Sequence, residues 1–404
     1  MDYNERKVLQ VSCSTSLMSK GTYLLMANND DVLQNALVHG IAMGIPGLSV
    51  AIGKGNDLAW TGTAGYSDLH RKVPVKTRDR FGIGSITKTF IARIILQLAD
   101  EGQLDLHQKV TDYLDLKIIR EVPNTDKATL RQLLNHQSGI PTWEFQEAWI
   151  RKGRGDQMKL GKVWGKTEPL EYIRRKHISA DHEPGHQYTY SNTNYTILGL
   201  LIEAITGNDV ATEIRDRILL PLHLEDTFIE SFEEIPNGYV HHYHYATPQF
   251  LKIAGLHKEF SEIRPYLVES TAANLSSEWA AGGMISSARD LLRWAQAIRS
   301  GELLSSMMQK EVFTYYPPKE SDSSQGEYMQ GILKVKDFYN DFAILGHGGG
   351  TLGFTAMMYW LEKTDIIIVM LTNVGGMHSG LNPSPVGIFY KDVLLPATMQ
   401  FLDR

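Results

Sequence analysis

Cysteine is nearly missing from this chain. Cys13 is the single one among 404 residues. One thiol excludes an internal disulfide framework and a cysteine-based zinc site, and it fits a reducing compartment. Long apolar runs are missing too. Ile366 to Leu371 has the length of a strand, far below the ~20 residues that span a bilayer, so no integral membrane segment is expected. The opening Met1-Asp2-Tyr3-Asn4-Glu5-Arg6-Lys7 has no basic region followed by an apolar core. No secretory signal is read there, which favours a cytoplasmic location and leaves a periplasmic or secreted one for a chain that has lost a leader. Clustered basic charge is missing as well. The 40 Lys and Arg are scattered and outnumbered by 46 Asp and Glu, giving a net charge of -6, so nucleic acid is not expected as a partner. No repeat of solenoid or propeller period is present.

What remains is a globular composition, 43% hydrophobic and 21% charged, which excludes a disordered chain. The length suits one large two-lobed unit or two to three ordinary domains. Residues 1–30 are polar and read as an N-terminal arm. A helix is expected over about 32–43, then strands over 48–53 and 58–66 joined by a hairpin turn at Lys54-Gly55-Asn56-Asp57. From about 103 to 275 the pattern is mainly helical, including an apolar helix over 196–205 that stops at Gly207. An amphipathic helix is read over 288–298, a polar loop over 317–327, strands over 330–335, 343–346, 354–361 and 365–372, and a closing helix over 387–402. Strands at both ends and helices between them predict an α/β (α+β) fold. An antiparallel sheet built from both chain ends is flanked by helices, and an all-helical lobe is inserted. The expected division is one unit over 31–404, with a sheet lobe at about 31–80 and 276–404 and a helical lobe at about 81–275.

The chemistry is organised around Gly82-Ile83-Gly84-Ser85-Ile86-Thr87-Lys88-Thr89-Phe90. Ser85 is the only serine with lysine three residues on. Phe90, Ile91, Ile94, Ile95 and Leu98 recur at helical spacing and predict one buried face. Ser85 then falls in the first turn, with Lys88 at i+3 on the same side. Serine needs a base to act as a nucleophile. Lysine serves when burial lowers its pKa. The plain alternative is a serine cap followed by a surface lysine.

Two further stretches follow in order: Glu183-Pro184-Gly185-His186-Gln187-Tyr188-Thr189-Tyr190-Ser191-Asn192, and Gly346-His347-Gly348-Gly349-Gly350-Thr351-Leu352-Gly353. Asn135-His136-Gln137-Ser138-Gly139-Ile140-Pro141 and Ala280-Ala281-Gly282-Gly283-Met284 add support. Together they resemble the serine β-lactamase and penicillin-binding-protein superfamily. The nearest branch is the one with class C β-lactamases, D,D-carboxypeptidases, D-aminopeptidases and family VIII esterases. Its three elements are Ser-x-x-Lys, Tyr-x-Asn and a Lys/His-x-Gly strand. The resemblance covers about residues 32–400.

The resemblance implies Ser85 as the acylated nucleophile, with Lys88 and Tyr190 moving its proton; which of the two is the base stays open. It implies Asn192 on the substrate amide, although an Asn there can equally cap a helix. It implies the N–H groups of Ser85 and Gly350 as the oxyanion hole, with Gly348 and Gly349 letting substrate lie close to the strand. His347 departs from the lysine of many β-lactamases and leans toward a peptidase. With an ordinary pKa of ~6.5 it would favour carboxylate substrates as pH falls from 8 toward 6.

No cofactor is implied, and no metal. His241-His242-Tyr243-His244 is read as an exposed loop rather than a metal site. Trp143, Trp149 and Trp164 are read either as lining the cleft mouth or as packing within a loop. The expected activity is serine acyl-enzyme hydrolysis of a small-molecule or peptide amide, with a D-residue near the scissile bond. The alternatives are a carboxylesterase or weak β-lactamase, an acyl transferase or peptide cyclase, and a non-catalytic penicillin-binding or scaffold protein. Oligomeric state is not legible.

Overall fold

The structure, a computed structural model, describes residues 29–174, 178–322 and 326–402. Cys13 and nearly all of the expected arm lie outside them. Helix α1 (Asn29–Ala42) leads into strands β1 (Gly47–Lys54), β2 (Asp57–Asp68) and β3 (Val73–Pro74). The nucleophile turn continues into α2 (Thr87–Asp100). Helices α3 (Asn192–Thr206), α4 (Trp279–Gly282) and α5 (Ala288–Ser300) precede the returning strands. These are β4 (Glu327–Tyr328), β5 (Leu333–Tyr339), β6 (Phe342–Thr351), β7 (Phe354–Leu361) and β8 (Ile366–Thr372).

The main sheet has eight strands in the order β4-β5-β6-β7-β8-β1-β2-β3. The two chain ends meet where β8 pairs antiparallel with β1, from Leu48 opposite Thr372 to Lys54 opposite Ile366. Alternation sorts the side chains of these strands between two cores. Leu48, Val50, Ile52, Ile368 and Met370 pack with Leu33 and Leu37 of α1 and with Phe389 and Leu394 of the closing helical segment. Ala51, Ile367, Val369 and Leu371 face the other core, with α2 and α5. Covered on both faces, β8 reads as an unbroken apolar run.

The structure departs from the expected pattern in three places. α2 is buried all round from Thr87 to Leu98, not along one face. It runs between layers: Phe90 stacks on Trp294 of α5 with ring centroids 4.5 Å apart, while Tyr195 of α3 lies on its other side. A helix buried on every side shows no polar face. β6 is longer than expected, because its glycines pair in register with β7, Gly349 opposite Ala356 and Gly350 opposite Thr355. Finally, the 81–275 region is not purely helical. It carries strands Phe81–Gly82, Phe228–Ile229, Tyr243–Tyr245, Ser261–Arg264 and Leu267–Glu269. Strands of this length are too short to show a two-residue alternation. No helix among the described residues is long and apolar enough to cross a membrane.

Candidate active site

Ser85 sits in a single 3-10 turn, Gly84–Ile86, at the mouth of α2. Gly84 has φ 50°, a left-handed value that glycine adopts freely. The turn lies directly against β6. A Cβ on Gly84 would come within 2.6 Å of Gly350 N, and one on Gly349 within 1.8 Å of Ile83 O and 3.1 Å of Ser85 N. Glycine at these positions lets the Ser85 and Gly350 amides share one small space, as an oxyanion hole requires.

Lys88, one helical turn on, is fully buried. Its Nζ lies 3.0 Å from Ser85 Oγ and donates to Ala281 O at 2.6 Å. Burial lowers its pKa to about 7, against the opposing pull of Glu144 and Glu278. A neutral amine with one proton on Ala281 O has a lone pair to turn toward the Ser85 hydroxyl.

Tyr190 closes the other side. Lys88 Nζ stands 4.9 Å from its ring centroid, over the face rather than at the oxygen. Its buried hydroxyl faces Ser85 Oγ without closing a well-formed hydrogen bond in the resting site. Burial pushes its pKa well above 10, the Ser85 hydroxyl only partly offsets that, and Glu144 adds to it. The phenol therefore stays protonated near neutral pH. His136 packs against the Tyr190 ring at 4.2 Å and accepts from Ser191 N at 3.1 Å through Nδ1. Burial and Lys88 hold His136 well below its usual pKa.

His347 on β6 reaches the same site, its ring 6.3 Å from that of Tyr190. Nδ1 lies 2.5 Å from Gly348 O, which places the ring proton there. Nε2 then accepts from Tyr328 Oη at 2.8 Å. Burial first, and Lys88 next, lower the His347 pKa to about 3. This corrects the expectation of a histidine titrating near neutrality, since sequence does not report burial.

Asn192 opens α3 and is not its cap; Ser191 precedes the helix. Its Nδ2 donates to Glu144 Oε2 at 2.5 Å, while Oδ1 is buried without a partner. Glu144 is brought there by the Pro141–Phe145 stretch, which packs on the start of α3. Asn192 N donates to Thr142 Oγ1 at 3.2 Å, and Trp143 Nε1 donates to Thr196 Oγ1 at 3.1 Å. Sequence reasoning missed Glu144, and with it a buried group of charges. Arg154 Nη2 lies 3.4 Å from Glu144 Oε1 and 2.8 Å from Glu278 Oε1. No motif marks these residues.

The tryptophans do not line an open mouth. Trp143, Trp149 and Trp164 are at most 6% exposed and belong to the core. The histidine-rich stretch is not an exposed loop either. His242 and His244 are fully buried. His242 Nδ1 lies 2.8 Å from Ser270 Oγ and packs under Phe354, and His244 Nε2 meets Met377 O at 3.0 Å. Burial holds both at a pKa of about 3, so His242 is a neutral wedge beneath the β6–β7 turn and His244 a neutral one between Phe250 and Gly375. Among the described residues, no group of three or more His, Cys, Asp or Glu is arranged to hold a metal ion.

Comparison with known proteins agrees with the fold. A family model described as Beta-lactamase matches residues 33–383. Penicillin-binding protein 4* of Bacillus subtilis (strain 168) is 26% identical over 329 residues, 80% of this chain and 67% of the relative. Protein flp of Staphylococcus aureus (strain N315) is 29% identical over 220 residues, 54% of this chain and only 41% of the relative's length. Among solved structures, a D-stereospecific amidohydrolase from Streptomyces sp. is 28% identical with a TM-score of 0.72, covering 89% of this chain and 98% of its own. The D-amino acid amidase of Ochrobactrum anthropi SV3, in complex with L-phenylalanine amide, is 26% identical with a TM-score of 0.76, covering 92% and 99%. The family match spans both the nucleophile turn and the glycine strand, and the chain belongs to the Beta-lactamase family.

Proposed function

We propose that the protein is a serine hydrolase that cleaves amides through an acyl-enzyme on Ser85, and that its substrates carry a free amino group on a D-configured residue. The observation that carries the reading is the buried Lys88, 3.0 Å from Ser85 Oγ with its pKa brought to about 7. A base poised near ambient pH suits general catalysis. Neutral Lys88 takes the Ser85 proton as Oγ bonds to the substrate carbonyl carbon. The oxyanion is held by the Ser85 and Gly350 amides. As the C–N bond breaks, the proton passes to the departing nitrogen, with the Tyr190 hydroxyl as relay. Water then attacks the ester, Lys88 takes its proton and returns it to Ser85 Oγ as the ester C–O bond breaks, and the carboxylic acid leaves.

Charge supports the substrate class. His347 is held neutral and offers no cation for a substrate carboxylate. Glu144 places an acidic side chain beside Asn192. An ammonium group suits that wall better than a carboxylate. The two solved relatives described above, a D-stereospecific amidohydrolase and a D-amino acid amidase, support the D-configuration.

The test is a panel: D- and L-phenylalanine amide, N-acetyl-D-phenylalanine amide, D-Ala-D-Ala, p-nitrophenyl acetate and a cephalosporin. Ser85 labelling by a fluorophosphonate, located by peptide mass spectrometry, accompanies it. D-phenylalanine amide should be turned over fastest among the amides, and acetylation should abolish the preference. Absence of both amide turnover and a Ser85 adduct would overturn the reading.

A further inference from the structure

We propose that Glu278 is a positioning residue for acylation, a buried yoke that fixes the oxyanion strand relative to the lysine. The inference rests on the serine-hydrolase reading above and concerns a residue outside its three motifs.

Glu278 acts in two directions at once. Its side-chain Oε1 accepts from Thr351 Oγ1 at 2.5 Å. Thr351 directly follows Gly350, whose amide faces the nucleophile turn, so holding Thr351 holds that amide. Its backbone carbonyl accepts from Ala281 N at 2.8 Å, closing the turn of α4. Ala281 O in turn receives Lys88 Nζ at 2.6 Å. One residue thus sets the distance between the group that removes the serine proton and the group that receives the oxyanion.

The yoke is itself anchored. Arg154 Nη2 donates to Glu278 Oε1 at 2.8 Å and reaches Glu144 Oε1, whose other oxygen holds Asn192. Gly282 makes room for the carboxylate, because a Cβ there would lie 2.5 Å from Oε2. Trp279 is held at φ 34°, a left-handed value that non-glycine residues avoid. Backbone strain of this kind persists where surrounding contacts over-determine it. Glu278 is 6% exposed, so its partners are protein groups rather than solvent.

The charge of Glu278 adds a signature that a purely structural role lacks. The ionisable groups around Lys88 are Glu144 and Glu278, which raise its pKa, together with His136, His347, Tyr190 and Tyr195. The two histidines and two tyrosines are neutral near pH 7, which leaves the two carboxyl groups and Arg154; burial raises the Glu278 pKa, against the pull of Arg154, the Thr351 hydroxyl and Lys88. Replacing Glu278 with Gln removes one opposing pull and lets burial lower Lys88 further. The amine then becomes neutral at lower pH, and the acid limb of acylation moves down. The rate at pH 6, relative to its plateau, should rise about five-fold.

The experiment measures the second-order rate of Ser85 phosphonylation by a fluorophosphonate from pH 5 to 9 in the full chain. Wild type should show an acid limb near pH 7. Glu278→Gln should show a lower plateau and an acid limb shifted down. Thr351→Val cuts the strand contact and also loosens the hold on the Glu278 charge, so its plateau should fall about ten-fold while its limb moves less than that of Glu278→Gln, and Thr351→Ser should restore it. If Glu278→Gln does not fold, the Thr351 pair decides: an undiminished Thr351→Val, or a Thr351→Ser that fails to recover, overturns the yoke. An unmoved limb in folded Glu278→Gln overturns it as well, while labelled wild type leaves the hydrolase reading standing. An unlabelled wild type overturns both.

Discussion

Replacing Lys88 with methionine should abolish activity and make the folded protein more stable at neutral pH. Burial takes Lys88 from 10.5 in the unfolded chain to about 7 in the folded one. Below pH 7 both states hold the proton, and the folded state bears the full cost of a buried charge. Between pH 7 and 10.5 the folded state releases the proton while the unfolded state keeps it, so the cost falls as pH rises. Above that range it vanishes. The integrated penalty is about 4 kcal/mol at pH 7 and about 2 kcal/mol at pH 9. Methionine matches the lysine stem and carries no charge, but it leaves Ala281 O without its donor, a loss of about 1–3 kcal/mol. The net expectation is a gain of about 1–3 kcal/mol at pH 7 that shrinks by about 2 kcal/mol on going to pH 9. Urea unfolding of both proteins at pH 7, 8 and 9, followed by tryptophan fluorescence, measures it. The decisive quantity is the slope. If the stability difference between wild type and Lys88→Met were the same at pH 7 and pH 9, Lys88 would keep its proton throughout, and its assignment as general base would fail.

Tyr190→Phe should lower kcat by about 10²–10⁴-fold with little change in KM or stability, because the hydroxyl closes no well-formed hydrogen bond in the resting site; steady-state kinetics with a small amide checks it, and a kcat within a few-fold of wild type would make Tyr190 structural. Gly349→Ala forces a methyl against Ile83 O at 1.8 Å; the nucleophile turn must shift, so activity should fall at least ~10²-fold, and an active, fully stable variant would show that β6 does not abut Ser85. For His347, the KM ratio of a carboxylate substrate to its neutral analogue should be flat from pH 6 to 8, since burial keeps the ring neutral there; a ratio that falls on acidification would show a titrating histidine.

The local parts of the site were legible because they obey short-range rules. Ser85 and Lys88 are one helical turn apart, and the Gly348–Gly350 run marks a close backbone approach. The same holds for the sheet: β1, β2 and β8 announce themselves by their apolar patterns, and their position at both ends foretold the closure. Three kinds of information were not local. Arg154 meets Glu144 across 10 residues and Glu278 across 124, separations that no periodicity links. His242, His244 and His347 carry the same side chain as any exposed histidine, and only tertiary burial makes them neutral. α2 looked one-faced because its small and polar residues, Thr89, Ala92 and Arg93, gave no hint that a second layer would cover them.

The pairing of β8 with β1 also bears on how the chain comes to be made. β1 leaves the ribosome early and finds β2 at once through a tight turn, but its other edge waits until Ile366–Thr372 has been synthesised. Until then Leu48, Val50 and Ile52 belong to the β1–β2–β3 ribbon, whose β1 edge is open and apolar, a template for pairing with other chains. A nascent chain arrested before residue 366 therefore has the nucleophile turn and the glycine strand β6 but lacks β8, the strand that joins β7 to β1, and its expected fate is aggregation rather than partial activity.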